Sequence, residues 1–415
     1  MKQLQERVAA EGSAKAIVFI KREHVAESRE ASQIQCLLDE HGRMRRTLPN
    51  LNKEVVNSLE QHFVADHPQP MVHFPFLEMV HGVVDAKGLE NLANHEAIHS
   101  LHHAPELRAI QPVATDAAEA PAAGPAWGIS RLKAPDIWQR GFTGQHIVVA
   151  HLDSGVDSTH PALRDALETY AVFDISGQSV TPGEPYAGID DHGTHTAGTI
   201  AARSVANAPV VGMAPDAELI DATVVGGSTT DSVSRVLAGL NWSLQKGARV
   251  VSLSVGFDGY DESFLPVIDK LRAQKLLPVV AIGNDGKGRS CSPGNYPNVL
   301  SVGATSDGDY VEGFSGSPAA DSEGSGPKVC APGFRIKSAK PGGGYRLSSG
   351  TSMATPHIAG LAALLFSARP QASIDEVERA IVASCSNPMQ ESAERIGAGI
   401  PDGIAALDAL LRGAN

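Results

Sequence analysis

The sequence predicts an α/β protein in two parts: a small α+β unit of ferredoxin-like layout, then a larger unit on a doubly wound, mostly parallel sheet. Three observations predict it. Five near-continuous apolar runs between residues 146 and 305 alternate with helix-length stretches, as strands buried on both faces do in a parallel sheet. Short strand and helix patterns alternate before that, without such runs. Between the two, Asp116–Pro125 reads DAAEAPAAGP, small residues and prolines with no apolar period, which marks an exposed linker. The division is residues 1–113, a linker 114–125, and residues 126–415. The alternative is one domain with a surface loop here.

In the first part, β-branched Ala16–Lys21 reads as a strand. Lys53–Phe63 carries Val55, Val56, Leu59 and Phe63 at helical spacing. Pro75–Val84 reads as a strand interrupted by Gly82, and Ala86–His95 as a helix with Leu89, Leu92 and Ala93 on one face. Arg108–Val113 reads as a last strand. In the second part, His146–Asp153, Ala217–Val225, Ala248–Val255, Leu276–Asn284 and Asn298–Thr305 read as strands. Asp231–Lys246, Glu262–Gln274 and Met353–Phe366 read as helices.

Composition narrows the function. The 415 residues are 42% hydrophobic and 20% charged, which excludes a disordered or collagen-like chain. A net charge of −13 argues against nucleic acid as a partner. Cys36, Cys291, Cys330 and Cys385 are too scattered for a disulfide scaffold or a zinc ribbon. No apolar run approaches the ~18 residues of a membrane span, so no membrane partner is expected. The opening MKQLQERVAAEGS lacks the apolar core of a secretion signal, and the run Ala16–Ile20 is closed by Lys21. This favours a cytoplasmic chain over a secreted one that has lost its signal.

Three stretches carry chemistry. HLDSGVDSTHP ends an apolar strand on Asp153, a carboxylate that needs a partner there. DDHGTHTAG places His192 in a Gly-flanked turn that opens a helix. SSGTSMATPHIAG places Ser352 at a loop-to-helix junction, also a common N-cap position. In such sheets chemistry gathers at the carboxyl ends of strands. Asp, His and Ser gathered there are the parts of a nucleophilic triad: Ser352 attacks, His192 moves the proton, and Asp153 fixes the tautomer.

These stretches, in the order Asp…His…Ser, resemble the signatures of the subtilisin-like serine proteases, the subtilase family. WGISRLKAP and GAGIPDGIAALDAL resemble the family's opening segment and its closing turn and helix, so the resemblance runs from Trp127 to the C-terminus. It implies a serine endopeptidase that needs no cofactor for its chemistry and works as a monomer on peptide or protein substrates. VVAIGNDG is similar to the strand that delivers the family's oxyanion-hole asparagine, implying Asn284 as donor beside the Ser352 backbone N–H. The segment Ser254, Val255, Gly256 is similar to the one that lines the specificity pocket. Gly226–Asp231, with Gly226, Gly227 and Ser228, lies where the family's other substrate-pairing strand runs. The pocket floor is expected from Arg289–Pro293, with Cys291 in it and a medium apolar side chain preferred.

Some positions depart from the family or stay open. His195 lies three residues after His192 but lacks the glutamate of an HExxH zinc site, so it reads as structural, and no metal ligand is assigned. His357 reads as packing. The family's N-terminal calcium site is expected to be lost, because Ala162 stands where a carboxylate is needed and the Ala122–Ala123 region replaces another ligand. Asp190, Asp191 and Asp221 read as ligands of some other site, as solvated surface, or as support for His192. A Cys291–Cys330 disulfide stays open.

The first part is similar, more loosely, to the family's N-terminal propeptides, which implies an intramolecular chaperone and inhibitor whose tail crosses the cleft and is cut within Thr115–Pro125. A permanent accessory domain is the alternative. Ten of the 16 histidines lie there, so acidification is expected to charge this part and loosen it from the acidic protease unit. Rival readings are a dedicated processing protease for one or few partners and a non-catalytic binding protein on a protease fold. A dinucleotide-binding enzyme is excluded, because HLDSGVD stands where G-x-G-x-x-G is needed.

Overall fold

The computed structural model describes residues 1–25, 35–48, 53–65, 67–117, 124–180, 190–226 and 233–413. The larger unit is organised by an eight-stranded sheet. Its strands run in the spatial order Ser179–Val180, Leu167–Phe173, Glu218–Thr223, Val148–Asp153, Val250–Leu253, Leu277–Ala281, Leu300–Thr305 and Val329–Pro332. All neighbours are parallel except the Ser179–Val180 edge strand. Of the five strands that the apolar runs predicted, four are buried at every residue and the fifth, Glu218–Thr223, at every residue but Glu218. Leu167–Phe173, which the sequence reading missed, is half-buried, and its polar residues dilute the apolar signal.

The strand that comes first in the chain, Val148–Asp153, sits mid-sheet, with later strands on both sides. That is a topological switch point, where loops leave in opposite directions and open a crevice at the strands' carboxyl ends. One face of the sheet is covered by Asp191–Ala201 and the long helix Thr351–Ala368. The other is covered by Val233–Gln245 and Leu265–Ala273.

The N-terminal unit is an antiparallel sheet in the order Val72–Phe74, Met79–Asp85, Ser13–Ile20, Ile98–His103. Successive strand side chains point to opposite faces. Ala14, Ala16, Val18 and Ile20 therefore meet one apolar cluster, with Leu4, Leu59 and Leu89 from the helices Lys2–Glu11, Lys53–Glu60 and Ala86–Ala93. Ile17 and Phe19 point the other way and join the core of the larger unit, beside Val236, Leu240 and Ile268. The two units thus share one apolar layer. The contact is framed by buried Glu78, which pairs with Arg22 at 3.2 Å and with Lys270.

Three expectations change. The sheet's last strand is Ile98–His103, whose three histidines hide it in the sequence. Of Arg108–Val113, only Arg108–Ala109 is a strand, and it pairs with Val255–Asp258 of the larger unit. The linker is partly ordered: Ala114–Ala117 pairs with Tyr345–Ser349, and Gly124–Pro125 with Pro209–Val210. The sequence reading also missed a hairpin, Gln35–Leu38 with Met44–Thr47, that reaches the far side of the larger unit. There Arg46 is buried and donates to the carbonyl oxygens of Gln274, Leu244 and Ala248 at 2.8, 3.1 and 2.8 Å. A guanidinium suits these carbonyls, which lie where two helices end and partial negative charge collects.

Candidate active site

Asp153 is the last residue of the mid-sheet strand, and His192 is the second residue of the helix Asp191–Ala201. Asp190 caps that helix by accepting the His192 backbone N–H at 2.9 Å. The glycine after the histidine is required by close approach: a Cβ on Gly193 would lie 2.2 Å from the Gly155 carbonyl oxygen. Helix and strand end can therefore meet, and His192 Nδ1 donates to Asp153 Oδ1 at 2.7 Å. Asp153 Oδ1 also accepts the Ser154 N–H at 2.7 Å. Both side chains are buried. Burial alone would raise the Asp153 carboxyl, but the His192 charge and hydrogen bond, then His151 and Ser154, hold it down at about 2. Burial opposes charge on His192 as well; Asp153 and Asp190 outweigh it and raise the imidazole above its ordinary value.

Ser352 is the second residue of the long helix, fully buried, and its Oγ donates to the Ile110 carbonyl oxygen at 2.7 Å. His192 Nε2 has no hydrogen-bond partner among the described residues. Asn284 follows the Leu277–Ala281 strand. Its Oδ1 accepts both the N–H and the hydroxyl of Thr351 at 2.8 Å, which fixes the amide with Nδ2 outward. That Nδ2 donates to the Gln111 carbonyl oxygen at 2.8 Å.

Residues 108–117 therefore run through the crevice. Arg108 and Ala109 pair antiparallel with Gly256 and Val255, and the Ile110 N–H donates to the Ser254 carbonyl at 2.8 Å. The Ile110 side chain, 7% exposed, packs on Ala281 and Cys291. Beyond Ser352, Val113 N–H donates to the Ser349 carbonyl and Ala114–Ala117 continues along Tyr345–Ser349. The carbonyl against Ser352 is thus that of the Ile110–Gln111 bond, and the Thr115–Pro125 stretch expected from the sequence to hold the cut begins further along the same track. Strand pairing sets the register here, and pairing with a distant strand leaves no local trace in the sequence.

The segment Ser254, Val255 and Gly256 lines this track. Gly226 follows the buried end of the Glu218–Thr223 strand; Gly227 and Ser228 lie outside the described residues. Cys291 lies under Ile110, and burial, then Asp258 and Asp285, push its thiol up to about 12. Burial thus disfavours the thiolate form that a nucleophile needs. All four cysteines are free thiols, so the Cys291–Cys330 bond left open by the sequence is not formed. Cys330 is on a sheet strand, while Cys291 is on a two-residue strand that pairs with Val255–Asp258.

His195 is buried, its Nε2–H donating to the Ile336 carbonyl at 2.9 Å, and burial pushes it down to about 3. His357 bonds the Met353 carbonyl one turn back. Ala162 is fully buried and offers no side-chain oxygen; Ala122 and Ala123 lie outside the described residues. Among the described residues, the one group of ligand-type side chains close enough to hold an ion is Asp258, Asp285 and Cys291. Asp258 is already paired with Arg108. The three acids left open separate clearly. Asp190 is the helix cap, exposed Asp191 pairs with Arg346, and Asp221 is fully buried, not solvated.

Asp221 leads to a residue the sequence reading passed over. It accepts from His151 Nδ1 at 2.7 Å, and both are buried directly behind Asp153. The signal was present: His151 is two residues before Asp153 on one strand face, and Thr196 is four after His192 on one helix face.

Comparison with known proteins places this geometry. Residues 144–399 match the Subtilase family. The chain belongs to that family, and it is a subtilisin-like serine protease. Subtilisin Savinase of Lederbergia lenta is 40% identical over 245 residues, covering 59% of this chain and 85% of that protein. M-protease of Shouchella clausii (strain KSM-K16) is 40% identical over 245 residues. Subtilisin E of Bacillus subtilis (strain 168) is 37% identical over 250 residues. In these two the match spans 60% and 61% of the relative's length.

Proposed function

We propose that this chain is a serine endopeptidase made as a self-restrained precursor, in which the N-terminal unit, up to Ile110, acts as propeptide and inhibitor. The observation that carries the reading is the Ser352 hydroxyl on the Ile110 carbonyl, in a segment strand-paired as an extended substrate would be.

In the proposed reaction Ser352 Oγ attacks a peptide carbonyl carbon and His192 Nε2 accepts its proton. Asp153 holds the other ring N–H and steadies the imidazolium. Asn284 Nδ2 stabilises the developing oxyanion. His192 then protonates the leaving amine, and water repeats the sequence to release the acyl group. The precursor rests short of this geometry. Ser352 spends its proton on the carbonyl oxygen, and Asn284 serves the next carbonyl along. Moving the Ile110 carbonyl toward Asn284 would free Ser352 to turn to His192 Nε2. Substrates are then extended chains carrying an aliphatic residue for the Ala281–Cys291 pocket. No cofactor is needed for these steps.

The second reading is a processing protease that retains its N-terminal unit after the cut. The Gln35–Thr47 hairpin favours it, because its anchor on Arg46 lies outside the cleft. Intact mass and N-terminal sequencing of wild type beside Ser352→Ala test the precursor reading. We expect wild type to be cut with Gln111 as the new N-terminus and the variant to stay whole. Cutting of Ser352→Ala at the same bond would overturn it.

A further inference from the structure

Behind Asp153 the sheet holds a second histidine–aspartate pair. His151 and Asp221 are register neighbours on adjacent parallel strands, 1% and 0% exposed. His151 Nδ1 lies 2.7 Å from Asp221 Oδ1, and its Nε2 lies 2.8 Å from Thr196 Oγ1 and 3.7 Å from Asp153 Oδ2. Thr196 Oγ1 lies 3.3 Å from Asp153 Oδ2. The groups form a line: Asp221, His151, Thr196, Asp153, His192.

Counting protons constrains how the line is charged. Asp153 Oδ1 has two donors, the His192 ring and the Ser154 N–H. Among the described residues its Oδ2 has one hydrogen-bond donor in reach, the Thr196 hydroxyl, which has one proton, and the His151 ring stands just beyond it. Thr196 Oγ1 also lies 3.1 Å from the carbonyl oxygens of His192 and Gly193, so its one proton has several acceptors in reach. A bare His151 Nε2 would be one more competitor for it, whereas a protonated Nε2 donates to Thr196 Oγ1 and leaves the hydroxyl proton for Asp153 or those carbonyls. Asp153 has His192 beside it, but Asp221 has only His151: burial raises the Asp221 carboxyl, and the hydrogen bond and charge of the His151 ring oppose this.

We infer that His151, protonated on both ring nitrogens against Asp221, is a positioning residue that acts through Thr196 and Asp153 to set the basicity of His192. Resting on the triad reading above, this names what tunes that site. A positive ring near Asp153 Oδ2 competes with His192 for the carboxylate's charge. The His192 imidazolium is then less stabilised, and the imidazole stays a free base to lower pH. Among the described residues the other titratable groups facing His151 are few. Asp153 shares its strand, and Asp221 stands on the neighbouring one with Tyr170 opposite it. The Asp191–Ala201 helix brings His192, with Asp190 at its cap, and His195. The strand on the other side offers only Ser252, and the long helix only His357, which is bonded within that helix.

The test has two arms. In the first, self-processed enzyme is assayed on a peptide amide across pH, as wild type, Thr196→Val and the apolar double variant His151→Leu/Asp221→Leu. The acid limb of kcat/KM reports the free His192. We expect it to move up by about half to one pH unit in the double variant and by less, in the same direction, in Thr196→Val. In the second, full-length Ser352→Ala with 15N-labelled histidine is read by NMR at pH 7, where His151 should show two protonated ring nitrogens. A bare Nε2 signature, or acid limbs that coincide with wild type in both variants, overturns the inference. Absence of any peptidase activity in wild type would instead sink the triad reading, and the NMR arm would still decide the charge on His151.

Discussion

Truncating Ile110 to alanine should weaken the hold of the cleft on residues 108–113 and slow self-cleavage. The Ile110 side chain is 7% exposed and is enclosed by Ala281 and Cys291. Ile110→Ala removes three carbons, about 2.4 kcal/mol at roughly 0.8 kcal/mol per methylene. A cavity in a pocket of fixed strands adds to this, so about 2–4 kcal/mol is expected. At about 1.4 kcal/mol per decade that is a loss of roughly 30- to 700-fold in docking. Two readouts follow. Self-processing, timed by gel after rapid dilution from denaturant, should slow by a comparable factor. In the inactive Ser352→Ala background, hydrogen exchange at the Ile110 amide, which donates to Ser254, should accelerate similarly. Val113, 50% exposed, is the control, and Val113→Ala should change either readout by less than about threefold. Wild-type processing rate and cut site in Ile110→Ala would refute the register argued from strand pairing.

Two further expectations concern how the N-terminal unit is held. Burial pushes His73 and His102 down to about 4; around His102 the N-terminal amine and His99 add to this and Asp261 opposes it. Both groups bind protons more readily once the unit undocks and they meet water. Docking should therefore be insensitive to pH above about 7, weaken as pH falls below the ordinary value near 6.5, and go on weakening toward 4. Release of the cleaved unit, followed by size-exclusion chromatography, should be faster at pH 5 than at pH 8, and equal rates would refute it. Arg46→Met keeps the apolar stem but strands three carbonyl acceptors at helix ends, costing about 2–3 kcal/mol of docking after the desolvation relief is counted. Urea unfolding of full-length Ser352→Ala should show the N-terminal transition at lower denaturant, and an unchanged transition would show that the hairpin contributes nothing.

The sequence by itself determined what local pattern and chemistry can carry. Strands buried on both faces must be apolar throughout, so Val148–Asp153, Val250–Leu253 and Leu277–Ala281 were legible, ends aside. Asp153, His192 and Ser352 stood out because short motifs must supply both a reactive group and the small residues that let it approach. Gly193, with no room for a Cβ, is one of them. Tertiary structure alone decided what depends on residues far apart in the chain. Ile98–His103, polar by composition, is a strand because its neighbour Ser13–Ile20 supplies the pairing. Arg46 is buried because two helix ends, some 200 residues away, provide its acceptors. Asp221, read from sequence as one of three open acids, is the buried partner of His151 because parallel register sets the two side by side. The bond presented to Ser352 is Ile110–Gln111 because Arg108 and Ala109 take their register from Val255 and Gly256. Alternation and spacing write local periodicity into a sequence, whereas register between distant strands is set by the summed packing of whole surfaces and appears only when the chain is folded.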